Sequence, residues 1–175
     1  VFRPDDPLVH VARMTPPVEP PAPTERRIQR IGDELVVLVA GMFLPWYDYK
    51  GLVDMAEGIA GDNRHRIRLV LMGGNPRDPH TEAKIRGLFD GLRARGRVEL
   101  LDLVPFDQRS GFYSSADVGL LIPPNSVEDE LSARTRVVDY LWAGLPIVTP
   151  GRDEYSALIL EAQAGFKYDS EGDGP

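Results

Sequence analysis

Apolar residues between positions 35 and 168 form two patterns that alternate along the chain. Continuous apolar or β-branched runs, which are typical of strands buried on both faces, predict strands at residues 35–40, 67–72, 98–101, 118–122 and 145–149, with a short sixth at 166–168. The segments between them predict helices at residues 51–60, 81–95, 107–115, 132–143 and 155–164. Strands that alternate with helices over short connections predict an α/β fold, a parallel sheet with helices on both faces.

The helix predicted at residues 132–143 has the clearest signals at its ends. Ser132 is predicted as the N-cap, because its hydroxyl can accept a hydrogen bond from a first-turn amide. Val137, Val138 and Leu141 form the expected core-facing stripe. Gly144 stands where a left-handed residue usually ends a helix.

Two arginines at the start of this helix are unusual. A helix N-terminus already carries partial positive charge, so Arg134 and Arg136 are locally unfavourable there and an anionic ligand would offset them. The alternative is an ordinary surface pair between Arg136 and Asp139, three positions apart, worth about 0.2–0.5 kcal/mol.

The first 30 residues have a different composition. They hold seven of the 16 prolines, which block helices and central strands and favour extended, semi-rigid backbone. We therefore predict an interdomain connector over residues 1–30, with a short helix at 24–30, and one domain over 31–175 that is truncated at its C-terminal end. A disordered tail is the alternative for the first segment.

Composition excludes several classes of function. Lysine plus arginine is 20 and aspartate plus glutamate is 27, so the net charge of −7 argues against non-specific nucleic-acid binding. The absence of cysteine excludes disulfides, thiolate zinc sites and cysteine nucleophiles. No apolar run approaches the roughly 20 residues that cross a bilayer, and no signal peptide is recognisable. We expect a cytoplasmic fragment of a longer protein.

Chemistry is expected in the loops after the strands, because ligands of open α/β sheets bind at the carboxyl ends of the strands. Gly41 and Gly74 stand in two of these loops and would let the backbone approach a ligand closely. No G-x-G-x-x-G follows the first strand and no G-x-x-x-x-G-K-[ST] is present, which disfavours nicotinamide and P-loop nucleotide chemistry.

Four sequence blocks together resemble a known family. The block Arg-Thr-Arg-Val-Val-Asp-Tyr-Leu-Trp-Ala-Gly-Leu-Pro-Ile-Val (134–148) resembles the donor-binding helix of bacterial GT-B glycosyltransferases of family 4. Blocks at 44–52, 104–107 and 116–120 occur in the same order in that family, so the resemblance covers about residues 35–168. It implies the C-terminal, Rossmann-like lobe of a GT-B fold, which binds a nucleotide-diphosphate sugar, and transfer that retains the anomeric configuration.

The resemblance also implies roles for individual residues. Asp139 matches an acidic residue that holds the ribose hydroxyls, and a carboxylate can accept two such hydrogen bonds. Lys50 matches a lysine that contacts the diphosphate. The usual Gly-Arg after the first strand is Gly41-Met42 here, which leaves one phosphate contact to Arg134 or Arg136.

Other family contacts fall on two further loops. The backbone around Val104 is expected to meet the nucleobase, with Phe106 nearby. In this chain, Leu131 occupies the position of the family's other acidic residue. A contact with the sugar ring would therefore fall to Glu128 or Glu130, and the choice between them stays open.

The predicted function is therefore the donor-binding lobe of a glycosyltransferase of polysaccharide biosynthesis. Lys50 and Arg134 would neutralise the diphosphate leaving group, assisted by amides at the helix start near Ser132. No cofactor and no metal is expected, and a carbohydrate or lipid-linked acceptor would reach the site through the missing N-terminal lobe, which could hold the enzyme at the inner membrane face. A non-catalytic nucleotide or sugar-phosphate binding module and a GT-B-like nucleotide-sugar epimerase are the alternatives.

Several of these residues also have plain structural interpretations. The aromatic residues 46, 47 and 49 could be a packed loop instead of a ligand wall. Lys50 could be a solvated first-turn lysine, and the carboxylates of Glu128 and Glu130 could simply be solvated. Gly74 could belong to a turn that happens to face the cleft.

Overall fold

Six parallel strands form the centre of the molecule. The computed structural model describes residues 14–22, 25–61, 65–122 and 134–168. The strands are β1 (Leu35–Met42), β2 (Ile67–Gly74), β3 (Val98–Leu101), β4 (Val118–Leu120), β5 (Ile147–Thr149) and β6 (Gly165–Lys167). Their order across the sheet is β3-β2-β1-β4-β5-β6, with β1 in register with β2 from Leu35–Ile67 to Met42–Gly74. The sheet order reverses beside β1, so the loops after β1 and β4 diverge and leave a crevice.

Helices cover both faces of this sheet. They are α1 (Tyr49–Gly61), α2 (Pro79–Gly87), α3 (Asp90–Ala94), α4 (Arg109–Tyr113), which follows a 3-10 turn at Phe106–Gln108, α5 (Thr135–Trp142) and α6 (Glu154–Glu161). On β2, Val70 and Met72 pack with α4, α5 and α6, whereas Leu69 and Leu71 pack with α1, α2 and α3. This alternation buries the strands on both faces, and the predicted α/β class is confirmed.

The helix predicted at residues 81–95 is two helices. The break lies at Phe89, whose φ of −100° and ψ of 2° leave the helical region, whereas Leu88 before it still has helical angles. Phe89 is fully buried, whereas its neighbour Leu88 is 48% exposed. Gly87 and Gly91 flank the break, and glycine is a poor helix former, so packing of Phe89 prevails over helix continuity.

The start of α5 differs from the prediction, and its end confirms it. The helix begins at Thr135, and its N-cap is Arg134 with extended backbone and no side-chain cap, not Ser132, which lies outside the described residues. At the other end, Gly144 has φ +67°, its amide donates to Leu141 at 3.0 Å, and the next amide donates to Tyr140 at 2.9 Å. These are the two bonds of a Schellman motif.

The segment predicted as a connector contacts the helices of one face. Residues 25–30 contain no helix, so that part of the prediction is wrong. Ile28 is only 2% exposed and packs in the core, and Arg30 forms a 2.5 Å ion pair with Asp117. Further back, the Trp142 indole donates to the Glu19 carbonyl at 2.8 Å. The division of the chain at residue 30 stays a prediction.

Among the helices that the structure describes, none combines the length and the apolar character required to cross a lipid bilayer.

Candidate functional site

A cleft of about 390 Å³ lies at the carboxyl ends of the strands, where the order of the sheet predicts a ligand site. Its walls come from the loops after β1, β3 and β4 and from the start of α5. The lining residues are Val39, Ala40, Gly41, Met42, Phe43, Leu44, Trp46, Tyr47, Tyr49, Met72, Leu103, Val104, Arg109, Leu120, Leu121, Ile122, Arg134, Thr135 and Arg136.

Three arginines and no carboxylate appear in the described lining of this cleft: Arg109, Arg134 and Arg136. Arg134 is held from behind by Asp153, whose carboxylate is 3.2 Å from the Arg134 Nε and whose side chain is fully buried. Asp153 also caps α6 by accepting hydrogen bonds from the backbone N–H of Ser156 at 2.8 Å and from its hydroxyl at 3.0 Å. A cationic end of the cleft is thereby fixed to the N-terminus of α6.

Arg136 is fixed by a second network. Its Nη1 donates to Asp139 Oδ2 at 2.6 Å and to the Tyr113 hydroxyl at 2.7 Å, and that hydroxyl donates to Asp139 Oδ2 at 3.0 Å. Arg109 approaches the same carboxylate oxygen at 4.0 Å. The Nε–H of Arg136 is different, because it is buried and has no hydrogen-bond partner among the residues that the structure describes.

Gly41 faces the Arg136 guanidinium across the cleft floor. A Cβ at Gly41 would stand 3.6 Å from Nη2 and 3.8 Å from Nε of Arg136. Gly41 also has φ +145°, which side chains rarely adopt. Glycine at this position therefore keeps the space in front of Arg136 open.

Burial and the surrounding charges fix the protonation states of this network. Burial opposes the charge on Arg136, but the oxygens of Tyr113, Tyr140 and Asp139 favour it, and its pKa lies above the ordinary arginine value. Burial also raises the pKa of Tyr113 to about 12, with Arg136 opposing that rise. At neutral pH Arg136 is therefore cationic, and Tyr113 keeps the proton that it donates to Asp139.

Aromatic rings line the cleft beside the arginines. Tyr49 is 5% exposed and meets Phe43 edge-on at 6.0 Å and Tyr47 edge-on at 6.2 Å. Trp46, 6.5 Å from Tyr47, is 53% exposed. Tyr49 is thus packed in the core, whereas the interpretation of Trp46 as part of a ligand wall stays a prediction.

Four of the predicted site residues line the cleft, namely Gly41, Val104, Arg134 and Arg136. Four others are described but do not line it. Lys50 is exposed at the start of α1, and Gly74 is buried beside the Glu82 carboxylate. Phe106 is 76% exposed under Arg109, and Asp139 lies behind Arg136. Glu128 and Ser132 lie outside the described residues, as does Glu130. The ligand contacts assigned to all of these residues stay predictions.

Sequence reasoning missed Arg109, Tyr113 and Asp153. Arg109 and Tyr113 belong to α4, a five-residue helix whose sequence carries no recognisable motif. Asp153 did carry a signal, because Asp-Glu before an apolar helical run is a common N-cap pattern. Its pairing with Arg134, 19 positions away, has no local signature.

No group of three or more histidine, aspartate or glutamate side chains that could hold a metal ion occurs within residues 14–22, 25–61, 65–122 and 134–168.

Comparison with known sequences gives one curated relative. No family model matches the chain. The Mus musculus protein named GDP-Man:Man(3)GlcNAc(2)-PP-Dol alpha-1,2-mannosyltransferase is 25% identical over 126 residues, which cover 67% of this chain and 26% of the mouse protein. The chain therefore spans about a quarter of that relative.

Comparison with solved structures identifies the fold. WaaG, a glycosyltransferase involved in lipopolysaccharide biosynthesis, is 20% identical with a TM-score of 0.56, covering 80% of this chain and 35% of WaaG. Anabaena Alr3699/HepE, solved in complex with UDP-glucose, is 17% identical with a TM-score of 0.59, covering 78% of this chain and 35% of HepE. Together with the six-stranded parallel sheet, these likenesses show that the chain has the Rossmann-like α/β fold of one lobe of a GT-B glycosyltransferase.

Proposed function

We propose that this chain is the C-terminal, donor-binding lobe of a glycosyltransferase and that its cleft binds a nucleotide-diphosphate sugar. The observation that carries the proposal is the Nε–H of Arg136, which is buried in the cleft lining without a partner among the described residues. A buried donor left unpaired costs about 1–3 kcal/mol, so such a group is expected to meet an acceptor in the working state. Carboxylate and phosphate oxygens are the strongest acceptors for a guanidinium, and the described lining of the cleft contains no carboxylate.

The charge of the cleft supports a diphosphate over a neutral ligand. Arg109, Arg134 and Arg136 face the same space, and Asp139 and Asp153, which pair with them, are not part of its described lining. The described lining therefore presents guanidinium groups and no carboxylate to a ligand. Fixed positive charge beside a departing diphosphate stabilises the charge that develops as the glycosyl bond breaks.

The nucleoside would occupy the neighbouring surfaces. Every hydrogen bond and ion pair of the Asp139 side chain with the described residues uses Oδ2, which leaves Oδ1 for a ribose hydroxyl. The backbone at Val104, in the loop after β3, would meet the base. Lys50 is exposed one residue into α1, and its flexible side chain would have to reach the diphosphate from outside the described lining.

Two of the comparisons agree with this donor class. The HepE structure contains UDP-glucose, and the mouse relative is named for GDP-mannose. We extend the proposal to glycosyl transfer with retention in polysaccharide biosynthesis on the cytoplasmic side of a membrane, with the acceptor supplied through a second lobe.

Arg109 gives the sharpest test of the proposal. Arg134 is unsuitable, because its removal would strip the buried Asp153 of an ion-pair partner, whereas Arg109 only approaches Asp139 at 4.0 Å. We expect Arg109→Ala to weaken UDP or GDP binding in calorimetry about ten- to a hundredfold, the effect of one charge-assisted hydrogen bond worth roughly 1.5–3 kcal/mol.

Arg93 supplies the matched control, since it is exposed on α3, outside the cleft lining, and pairs with Asp90 at 3.1 Å. Arg93→Ala should bind both diphosphates as the native chain does. Equal diphosphate affinity in Arg109→Ala and Arg93→Ala would refute the proposal.

A further inference from the structure

Trp46 is an exposed tryptophan in the lining of the cleft. Its side chain is 53% exposed and lines the cleft beside Tyr47. Exposure of a large aromatic ring is unfavourable in the free protein, and aromatic rings in ligand sites commonly act as anchors. The surroundings of Trp46 show whether the exposure is incidental.

Hydrogen bonds constrain the backbone on both sides of Trp46. Residues 44–47 form a turn in which the Tyr47 amide donates to the Leu44 carbonyl at 3.2 Å, with Pro45 in the second position. Proline fixes φ at this position of a turn. On the far side, the Asp48 carboxylate accepts from the Gly51 amide at 2.8 Å and so caps the start of α1.

The ring of Trp46 is also supported from the core. The edge-on contacts of Phe43 with Tyr49 and of Tyr49 with Tyr47 lead outward from the buried cluster, and Trp46 contacts Tyr47 at its outer end. A flat apolar surface is thus presented in place, so that binding to it costs little ordering of the protein.

The position of Trp46 relative to the arginines suggests what it binds. Its turn follows Gly41, which faces the Arg136 guanidinium. The base, in contrast, is assigned to the loop after β3, and β3 is separated from β1 by β2, or roughly 10 Å at the spacing of strands. In a nucleotide sugar, the pyranose ring is bonded directly to the diphosphate, so the ring lies next to the phosphates on the side away from the base.

We infer that Trp46 is a stacking platform for the pyranose ring of the donor sugar. The C–H face of a pyranose is apolar and can stack on the indole ring. The hydroxyl edge of the sugar can remain in solvent, because about half of Trp46 is exposed. This inference rests on the proposed function, because it takes the diphosphate to be bound by the arginines. Trp46 thereby increases the affinity for nucleotide sugars over that for the free nucleoside diphosphates.

Paired ligands with and without the sugar test the inference. Affinities of UDP, UDP-glucose, GDP and GDP-mannose would be measured by calorimetry for the native chain and for Trp46→Ala, Trp46→Phe and Trp46→Leu. We expect Trp46→Ala and Trp46→Leu to weaken nucleotide-sugar binding about two- to tenfold and to leave diphosphate binding within about twofold. Trp46→Phe keeps an aromatic face and should recover most of the loss.

The second tryptophan provides the control and a direct signal. Trp142 is outside the cleft lining and is the only other tryptophan, so Trp142→Phe should bind all four ligands as the native chain does. In that variant, the fluorescence of Trp46 should change more with UDP-glucose or GDP-mannose than with the matching diphosphate.

Each other outcome has a definite meaning. Equal loss of diphosphate and nucleotide-sugar affinity in Trp46→Ala would show that Trp46 contacts the base or the phosphates, and unchanged affinities would show no contact; either result overturns the inference alone. Failure of the native chain to bind either diphosphate would overturn the proposed function and this inference together.

Discussion

Arg134 and Arg136 lie two positions apart, yet different parts of the molecule hold their guanidinium groups. Arg134 pairs with Asp153 at the start of α6, and Arg136 pairs with Asp139 on its own helix and with Tyr113 on α4. Both arginines are therefore positioned before a ligand arrives. This preorganisation also makes a carboxylate depend on each arginine for its ion pair: Asp153 on Arg134, and Asp139 on Arg136.

The ion pair between Arg134 and Asp153 makes a prediction about stability. Arg134→Ala removes a partner of a carboxylate that is fully buried, and breaking such a pair typically costs about 3–5 kcal/mol. Urea unfolding should show a loss near the lower end of this range, because Asp153 keeps its hydrogen bonds to Ser156.

The exposed pair of Arg93 and Asp90 supplies the comparison. Arg93→Ala should change the free energy of unfolding by less than about 0.5 kcal/mol, since exposed pairs contribute little. A loss in Arg134→Ala as small as that in Arg93→Ala would show that Asp153 does not depend on Arg134.

At the scale of elements, α5 connects the arginine cluster to the sheet. Its first turn faces the cleft, Val137 and Tyr140 are fully buried in the core, and the Tyr140 hydroxyl accepts from the Ala40 amide at 2.9 Å and donates to the Leu38 carbonyl at 3.1 Å. The helix ends at the Schellman motif of Gly144. The position of the arginines therefore depends on how this helix is anchored and ended.

Two glycines make a matched pair of stability predictions. Gly144 has φ +67°, and a Cβ added there would meet nothing within 4 Å, so Gly144→Ala should lose about 1–2 kcal/mol through backbone strain alone. Gly58, exposed inside α1, also has open space around it, so Gly58→Ala should gain about 0.5–1 kcal/mol. Thermal unfolding of both variants checks this, and a loss of similar size at both positions would contradict it.

The elements were predictable where a local pattern decides them. The strand at Val98–Leu101 was predicted with its observed bounds, and the left-handed conformation of Gly144 followed from its place after an apolar helix. The start of α5 was not predictable in the same way, because its N-cap is Arg134, whose side chain makes no capping bond. Arg134 pairs instead with Asp153, a contact between distant residues that has no local sequence signal.

At the scale of the whole molecule, the candidate site combines segments far apart in sequence. The cleft lies at the carboxyl ends of the strands, where the sheet rule predicts a site, and Gly41, Val104, Arg134 and Arg136, which were named from the sequence, line it. Arg109 was not named, because its approach to the cleft depends on packing of α4 against the same face as α5. Long-range packing of this kind has no sequence signature in a single chain.

Stability of the whole molecule should fall in acid. The pKa of Asp117 is held below its usual range, because hydrogen bonds from Arg30 and from the Val36 amide outweigh the effect of burial. The pKa of Glu82 is lowered by the hydrogen bond from the Asn75 amide, against burial. Since the unfolded chain binds protons more readily at these groups, their contribution is complete above about pH 5 and is lost progressively as pH falls further.

Asp117→Asn tests this directly. The variant should unfold more easily than the native chain at pH 7, and the difference between the two should shrink as pH falls below about 5. A difference that stays constant between pH 7 and pH 3 in urea titrations would contradict the assignment of the lowered pKa.

The chain by itself is expected to bind donor and transfer nothing. It spans about a third of the two glycosyltransferase structures that it resembles, and catalysis needs an acceptor nucleophile held within roughly 3–3.5 Å of the reacting carbon. Release of UDP or GDP from nucleotide sugars with a mixture of acceptors should stay at background. Sustained release would show that a single lobe is a complete enzyme.

The central claim is that the arginine cleft recognises the diphosphate of a nucleotide sugar, and a ligand series measures this most directly. Calorimetry of the native chain would compare uridine, UMP and UDP, and guanosine, GMP and GDP, at one ionic strength. For one base, we predict affinity that rises with each phosphate and a diphosphate that binds at least about tenfold more tightly than the nucleoside. Equal affinity for nucleoside and diphosphate, or no binding of either diphosphate, would contradict the claim.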